Sequence, residues 1–216
     1  LMLAAALTNR LTQPREPKEK KVVQTQKLEE NTSIETPSPV TASISLLDAG
    51  KNFTLTASEV LSKNADLVPL LDSINESLVQ ETQAHGGAIL LVDGFEDILA
   101  VKSFSGDFPP PYRLPEDLPH KVIRVETNFR FSQFPLTETI FGAVACSGRG
   151  ELITDPLSDI RIIQNGPEDF LRCGSYIFIP LKIKETVIGV VALARRYGEK
   201  AFTEREYDIA VTLGSY

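Results

Sequence analysis

The stretch AVACSGRGELITDP places Cys146 just ahead of Gly148, Arg149 and Gly150, with Asp155 a few residues on. Those residue types could make a thiolate nucleophile beside a loop whose backbone N–H groups cradle a phosphate or carboxylate. Spacing argues against the nucleophile. A phosphate-binding cysteine loop carries an arginine six positions after the cysteine, and that position is Leu152 for Cys146 and Ile179 for Cys173. The plainer reading of Cys146 is a small buried residue on a helix face. Gly148 and Gly150, flanking Arg149, are an anion-cradle candidate, but glycine after a helix is commonly its C-terminal cap. Asp155 and Asp159 could pair for acid–base work, yet no partner base accompanies them, and Asp155 suits a cap of the turn at Pro156. His85 and His120 are isolated, and two cysteines give neither a metal-ligand spacing nor a disulfide framework. The expectation is therefore a domain with no catalysis of its own, no metal and no cofactor. Arg195 and Arg196, at the end of an apolar run, read as solvated.

Composition narrows the partners. The chain has 216 residues, 42% of them hydrophobic, and a net charge of -7. An acidic chain without a basic patch interleaved with aromatics is a poor nucleic-acid binder. The opening LMLAAALTN is too short to span a bilayer, but the cations Arg10, Arg15, Lys18, Lys20 and Lys21 follow it as on a cytoplasmic flank. Residues 1–9 are read as a truncated transmembrane or juxtamembrane stub, which would put the rest at the cytoplasmic face of the plasma membrane. Residues 10–56, rich in proline and charge, cannot bury enough surface to offset chain entropy and read as a disordered linker. Residues 57–216 are the folded unit.

Within that unit, Leu67, Leu70, Leu71, Ile74 and Leu78 recur at helical spacing, with Asp66 as cap, Pro69 in the first turn, and Gly86 and Gly87 as the stop. A short helix, TASEVLSKN, is expected before it. AILLV and ILAVKSF flank DGFED as a hairpin whose continuous apolar runs imply a sheet covered on both faces. The prolines of DFPPPYRLPEDLPHKVIRVETNFRFSQFP forbid a long helix, while its phenylalanines make it too apolar for a free loop, so it should lie over the sheet as a flap. Phe129, Phe131, Phe134 and Phe170 could line an apolar pocket or merely seal the flap. LTETIFGAVACSG reads as a helix capped by Thr137 and ended by Gly148. ELITD is a short strand, followed by turns and a short helix near Pro167. SYIFIPL and TVIGVVALARR form a second hairpin, with Pro180 ending the pairing of its first strand. FTEREYDIAVTLGSY opens with a Thr203–Glu206 capping box and a Phe202–Tyr207 staple. Its inward face is read as Tyr207, Ala210, Val211 and Gly214.

The ordered set GGAILLVD, IFGAVACSGRGELITDP, SYIFIPLKIKETVIGVVALARR and AFTEREYDIAVTL resembles a GAF domain over residues 58–216. The resemblance implies an α+β fold with a central antiparallel sheet, terminal helices on one face and a pocket under the flap on the other. It implies a regulatory module that senses an unknown small molecule and relays it through the last helix to an output domain, such as a SpoIIE/RsbU-type serine phosphatase. It further implies a homodimer through the terminal helices, and a ligand-free dimerisation module is the alternative. The pocket is expected to use Phe131, Phe134, Ile140, Val144, Ile153, Asp155, Phe170 and Ile177. The resemblance carries no cysteine–histidine pair for a covalent chromophore and no Asn-Lys-x-Asp-Glu motif for a cyclic nucleotide. Two unclustered cysteines do not make the matched set of a methionine sulfoxide reductase.

Overall fold

A computed structural model of the chain describes residues 67–214. In order, its elements are α1 (Leu67–Glu81), β1 (Gly86–Asp93), β2 (Ile98–Gly106), α2 (Val122–Phe131), β3 (Gln133–Pro135), α3 (Ile140–Ser147) and β4 (Glu151–Ile153). A 3₁₀ turn (Asp169–Leu171), β5 (Cys173–Ile183), β6 (Thr186–Arg196) and α4 (Glu204–Gly214) complete it. The strands make one antiparallel sheet in the order β3-β2-β1-β6-β5-β4. The α+β class and the sheet are as expected. The stub, the linker, Asp66 and the TASEVLSKN helix lie outside the described residues.

The three central strands are apolar on both faces because both faces are covered. Ile89, Ile177, Ile179, Val191 and Leu193 pack under the terminal helices against Leu71 and Leu78 of α1 and Ala210 and Leu213 of α4. Their strand neighbours Leu90, Tyr176, Phe178, Val190 and Ala192 face the other way, into a second core built with the flap, α2 and α3. Period-two alternation thus gives each strand two sets of partners.

Several local expectations are corrected. The flap contains a ten-residue helix, α2, and a short edge strand, β3. The helix fits between Pro119 and Pro135, so the prolines bound it instead of breaking it, and Val125 and Phe129 make its buried stripe. The N-cap of α3 is Thr139, whose hydroxyl accepts from the Gly142 N–H at 3.3 Å. The expected cap, Thr137, lies two residues too early. Gly148 does end α3, in the left-handed conformation at φ 60. α1 stops at Glu81, and Gly86 and Gly87 begin β1, where a side chain at Gly87 would collide with Asn75 and Val79 of α1. Pro180 does not end β5. The strand stays paired with β6 out to Ile183, and β4 has already ended beyond Phe178, leaving a free outer edge where a proline is tolerated. On α4 Ala210 and Leu213 are buried and Tyr207 packs half-buried against the same core, while Val211 is exposed. Cys146 is exposed, not buried, because it falls on the solvent side of α3.

Candidate functional site

The flap is sewn down by backbone acceptors that would otherwise be orphaned. Asn165 donates from Nδ2 to the carbonyls of Pro110 (2.9 Å) and Tyr112 (2.8 Å) and accepts from the Leu114 N–H at 2.9 Å. Tyr176 Oη donates to the Pro109 carbonyl at 2.6 Å. Its other neighbour is the Cys173 sulfur at 2.8 Å. Burial pushes the Tyr176 phenol well above its ordinary range and the Cys173 thiol up to about 11, so both stay protonated at neutral pH. A buried thiol in that state is neither a nucleophile nor a metal ligand.

Beneath the flap is a layer of packed rings rather than an open pocket. Phe129 stacks on Phe108 at 5.2 Å between centroids and meets Phe104 edge-on at 5.4 Å. The layer runs on through Phe134 and Phe141 (5.0 Å) to Phe178 (5.8 Å) and Tyr176 (5.4 Å). The opening between Phe104, Phe108, Phe129 and Phe170 is about 20 Å3, room for about one water. Ligand-sized space lies instead at the surface, in a cleft of about 480 Å3 between the flap, α2 and the loop after β4. Tyr112, Phe134 and Ile160 give it apolar walls, and its polar groups include Arg113, Asn128, Gln133, Glu138 and Arg161. Arg161 is committed: it bonds Glu151 at 2.5 Å and Asp159 at 2.6 Å, and its hydrogen bonds hold the Asp159 carboxyl below the usual range. Asn128 Oδ1 accepts from Tyr112 Oη at 3.3 Å, which leaves its amide N–H2 without a partner among the described residues. The same holds for the Arg113 guanidinium.

Of the eight expected pocket residues, Phe134, Ile140, Val144 and Ile153 are buried together in the flap-side core. Phe170 is half-buried at its edge. Asp155 is exposed and caps its turn by accepting the Leu157 N–H at 3.2 Å. Phe131 points into solvent at 83% exposure, because the helical turn that buries Phe129 turns it outward. Ile177 is buried under the terminal helices, on the wrong side of the sheet. Sequence reasoning missed Tyr112, Asn128, Asn165 and Tyr176. The last two carried a signal in a QNGP turn and an aromatic strand; the others became visible only once α2 existed.

Comparison with curated proteins finds no match. Among solved structures, the chain is similar to the GAF domain of an Acinetobacter phosphoenolpyruvate-protein phosphotransferase, at 15% identity and a TM-score of 0.58, over 79% of this chain and 89% of that one. The corresponding GAF domain from Coxiella burnetii gives 14% identity and 0.60, over 80% and 89%. A free methionine-R-sulfoxide reductase from Neisseria meningitidis, in complex with its substrate, gives 15% and 0.52, over 81% and 87%. These likenesses establish the fold. A family model for the GAF domain matches residues 64–216, well over half the sequence. GAF domains are regulatory sensing domains of signalling proteins, generally without catalysis; they bind small molecules and often dimerise, and this chain belongs to that family.

Proposed function

We propose that this GAF domain is the sensor of a bacterial signalling protein tethered at the cytoplasmic side of the membrane by its N-terminal segment. In this reading a small molecule occupies the flap cleft, and the change passes through α4 to an output domain such as a serine phosphatase. The carrying observation is the cleft itself. At about 480 Å3 it is the size of a small-molecule site, and it presents an uncommitted guanidinium and a free carboxamide N–H2 beside apolar walls. The route to α4 is short. β5 and β6 offer one face to the flap core and the other to the helix.

The test is a metabolite library screened on the full chain by thermal shift, followed by amide chemical-shift mapping. A ligand should raise the melting temperature and shift the Asn128 and Arg113 amides, and the Arg113→Gln/Asn128→Ala variant should lose the effect while keeping its own stability. If no compound acts, the sensing reading fails. A second reading then gains, a ligand-free dimerisation module, which the filled ring layer favours. It expects a dimer in sedimentation that Leu67→Glu/Val68→Glu, at exposed positions of α1, takes apart.

A further inference from the structure

A second cleft lies against α4 and reaches the C-terminal cap of α3 at Gly148. Its volume is about 450 Å3, and Gly148, Gly150 and Gly214 are among its lining residues. The glycines make the space: a side chain at Gly150 would run into the Tyr207 hydroxyl, and one at Gly148 would sit 3.3 Å from Lys182 Nζ. Ile179, Pro180 and Val211 supply the apolar part of the lining.

Three donors converge there. Lys182 and Lys184 line the cleft, and neither has an ion pair or hydrogen bond among the described residues. Tyr207 Oη, over Gly150, is equally unpartnered among them. Burial, helped by Asp208, Glu204 and Glu151, holds that phenol above its usual range, so it stays a donor. Of the acids that act on Tyr207, Glu151 is already bound to Arg161. Two free ammonium groups in a chain of net charge -7 are a local exception to its overall sign.

We propose that this cleft is a binding site for a small anionic amphiphile, a carboxylate or phosphate head on a short apolar body. The head sits between Lys182, Lys184 and the Tyr207 hydroxyl, and the body lies on Ile179, Pro180 and Val211. The site is separate from the flap cleft and touches α4 directly, so an occupant there acts on the helix without passing through the sheet.

The probes are octanoate and octyl phosphate, below their micelle thresholds, titrated into the full chain and followed by amide chemical shifts. Octanol and octyltrimethylammonium serve as controls for the head group. Saturable shifts at Gly148, Gly150, Lys182 and Val211 are expected with the anionic probes and much weaker ones with the controls. Lys182→Gln/Lys184→Gln, both exposed and therefore harmless to folding, should weaken binding about ten-fold. Added salt should weaken it too. Val211→Glu should abolish it at an unchanged melting temperature. Equal response to octanol, an unaffected double variant, or shifts confined to Tyr112, Asn128 and Ile160 would overturn the proposal. The last result would leave the flap-cleft reading standing, so the two fail separately.

Discussion

Arg195 is the most committed polar side chain described. Its five N–H donors meet five acceptors: the carbonyls of Thr82 (2.9 Å), Gln83 (3.3 Å), Lys200 (3.0 Å) and Ala201 (3.3 Å), and Glu206 Oε1 at 2.6 Å. Its guanidinium also lies 4.3 Å from the Phe202 ring centroid. One residue therefore closes the carbonyl end of α1, the loop after β6 and the start of α4. Arg195→Met should cost about 3 kcal/mol in urea unfolding at neutral pH, since it strands a partly buried carboxylate and two helix-end carbonyls. Burial pushes the Glu206 carboxyl up, but hydrogen bonds from Arg195 and Thr203 outweigh it and hold the group below the usual range. A folded value below the unfolded one, about 4.3, means the contribution is full above that pH and is lost as pH falls through the folded value. The acid-side loss of stability should accordingly be shallower in Arg195→Met than in the parent. The expectation of a solvated Arg195 fails for a physical reason. Four of its five acceptors are backbone carbonyls, which leave no mark on side-chain identity, and two of those lie more than a hundred residues away.

At the scale of elements, the start of α3 separates two neighbouring threonines. Thr139→Ala removes the acceptor for the Gly142 N–H and should cost about 1 kcal/mol. Thr137→Ala should stay within roughly 0.5 kcal/mol, as an exposed position outside the cap. A urea titration of both variants decides between them, and equal losses would mean that the cap is misassigned. The pair also shows where elements were legible. Thr203–Glu206 was readable because a capping box has two members at fixed spacing, and both of its reciprocal bonds form, at 2.8 and 3.4 Å. A lone threonine has no second member, so LTETIF left the register open. The first hairpin and Gly148 were legible for a similar reason, each carrying turn or cap chemistry beside an apolar run, while the second hairpin, which turns at Lys184 and Glu185, was read from its β-branched strands alone. The helix α2 was hidden because its prolines lie at its borders. Val125 and Phe129 hold the i, i+4 signal, but Phe131 and Phe134 blur it by adding rings of other directions. Ile177 fell on the wrong face because a strand apolar on both sides has no parity to read.

At the scale of the molecule, the sheet is a partition between two cores, and the flap-side core is closed by rings. Phe129 is its keystone, within stacking or edge distance of Phe104, Phe108, Tyr112, Phe134 and Phe141. If the layer is a packed core, Phe129→Ala should cost roughly 3–5 kcal/mol and leave an apolar void that stays dry. Such a void takes up small aromatics. Indole should therefore raise the melting temperature of Phe129→Ala in a concentration-dependent way and leave the parent unchanged. An indole response in the parent would mean instead that the ring layer already opens to ligands. The distinction governs how the domain could sense anything. A solid layer would confine small molecules to surface clefts, beside the flap and α2 or against α4, rather than admit them to the core. On the proposed relay, a bias from the flap cleft would reach the helix side through β1, β5 and β6, the strands whose two faces are packed into the two cores.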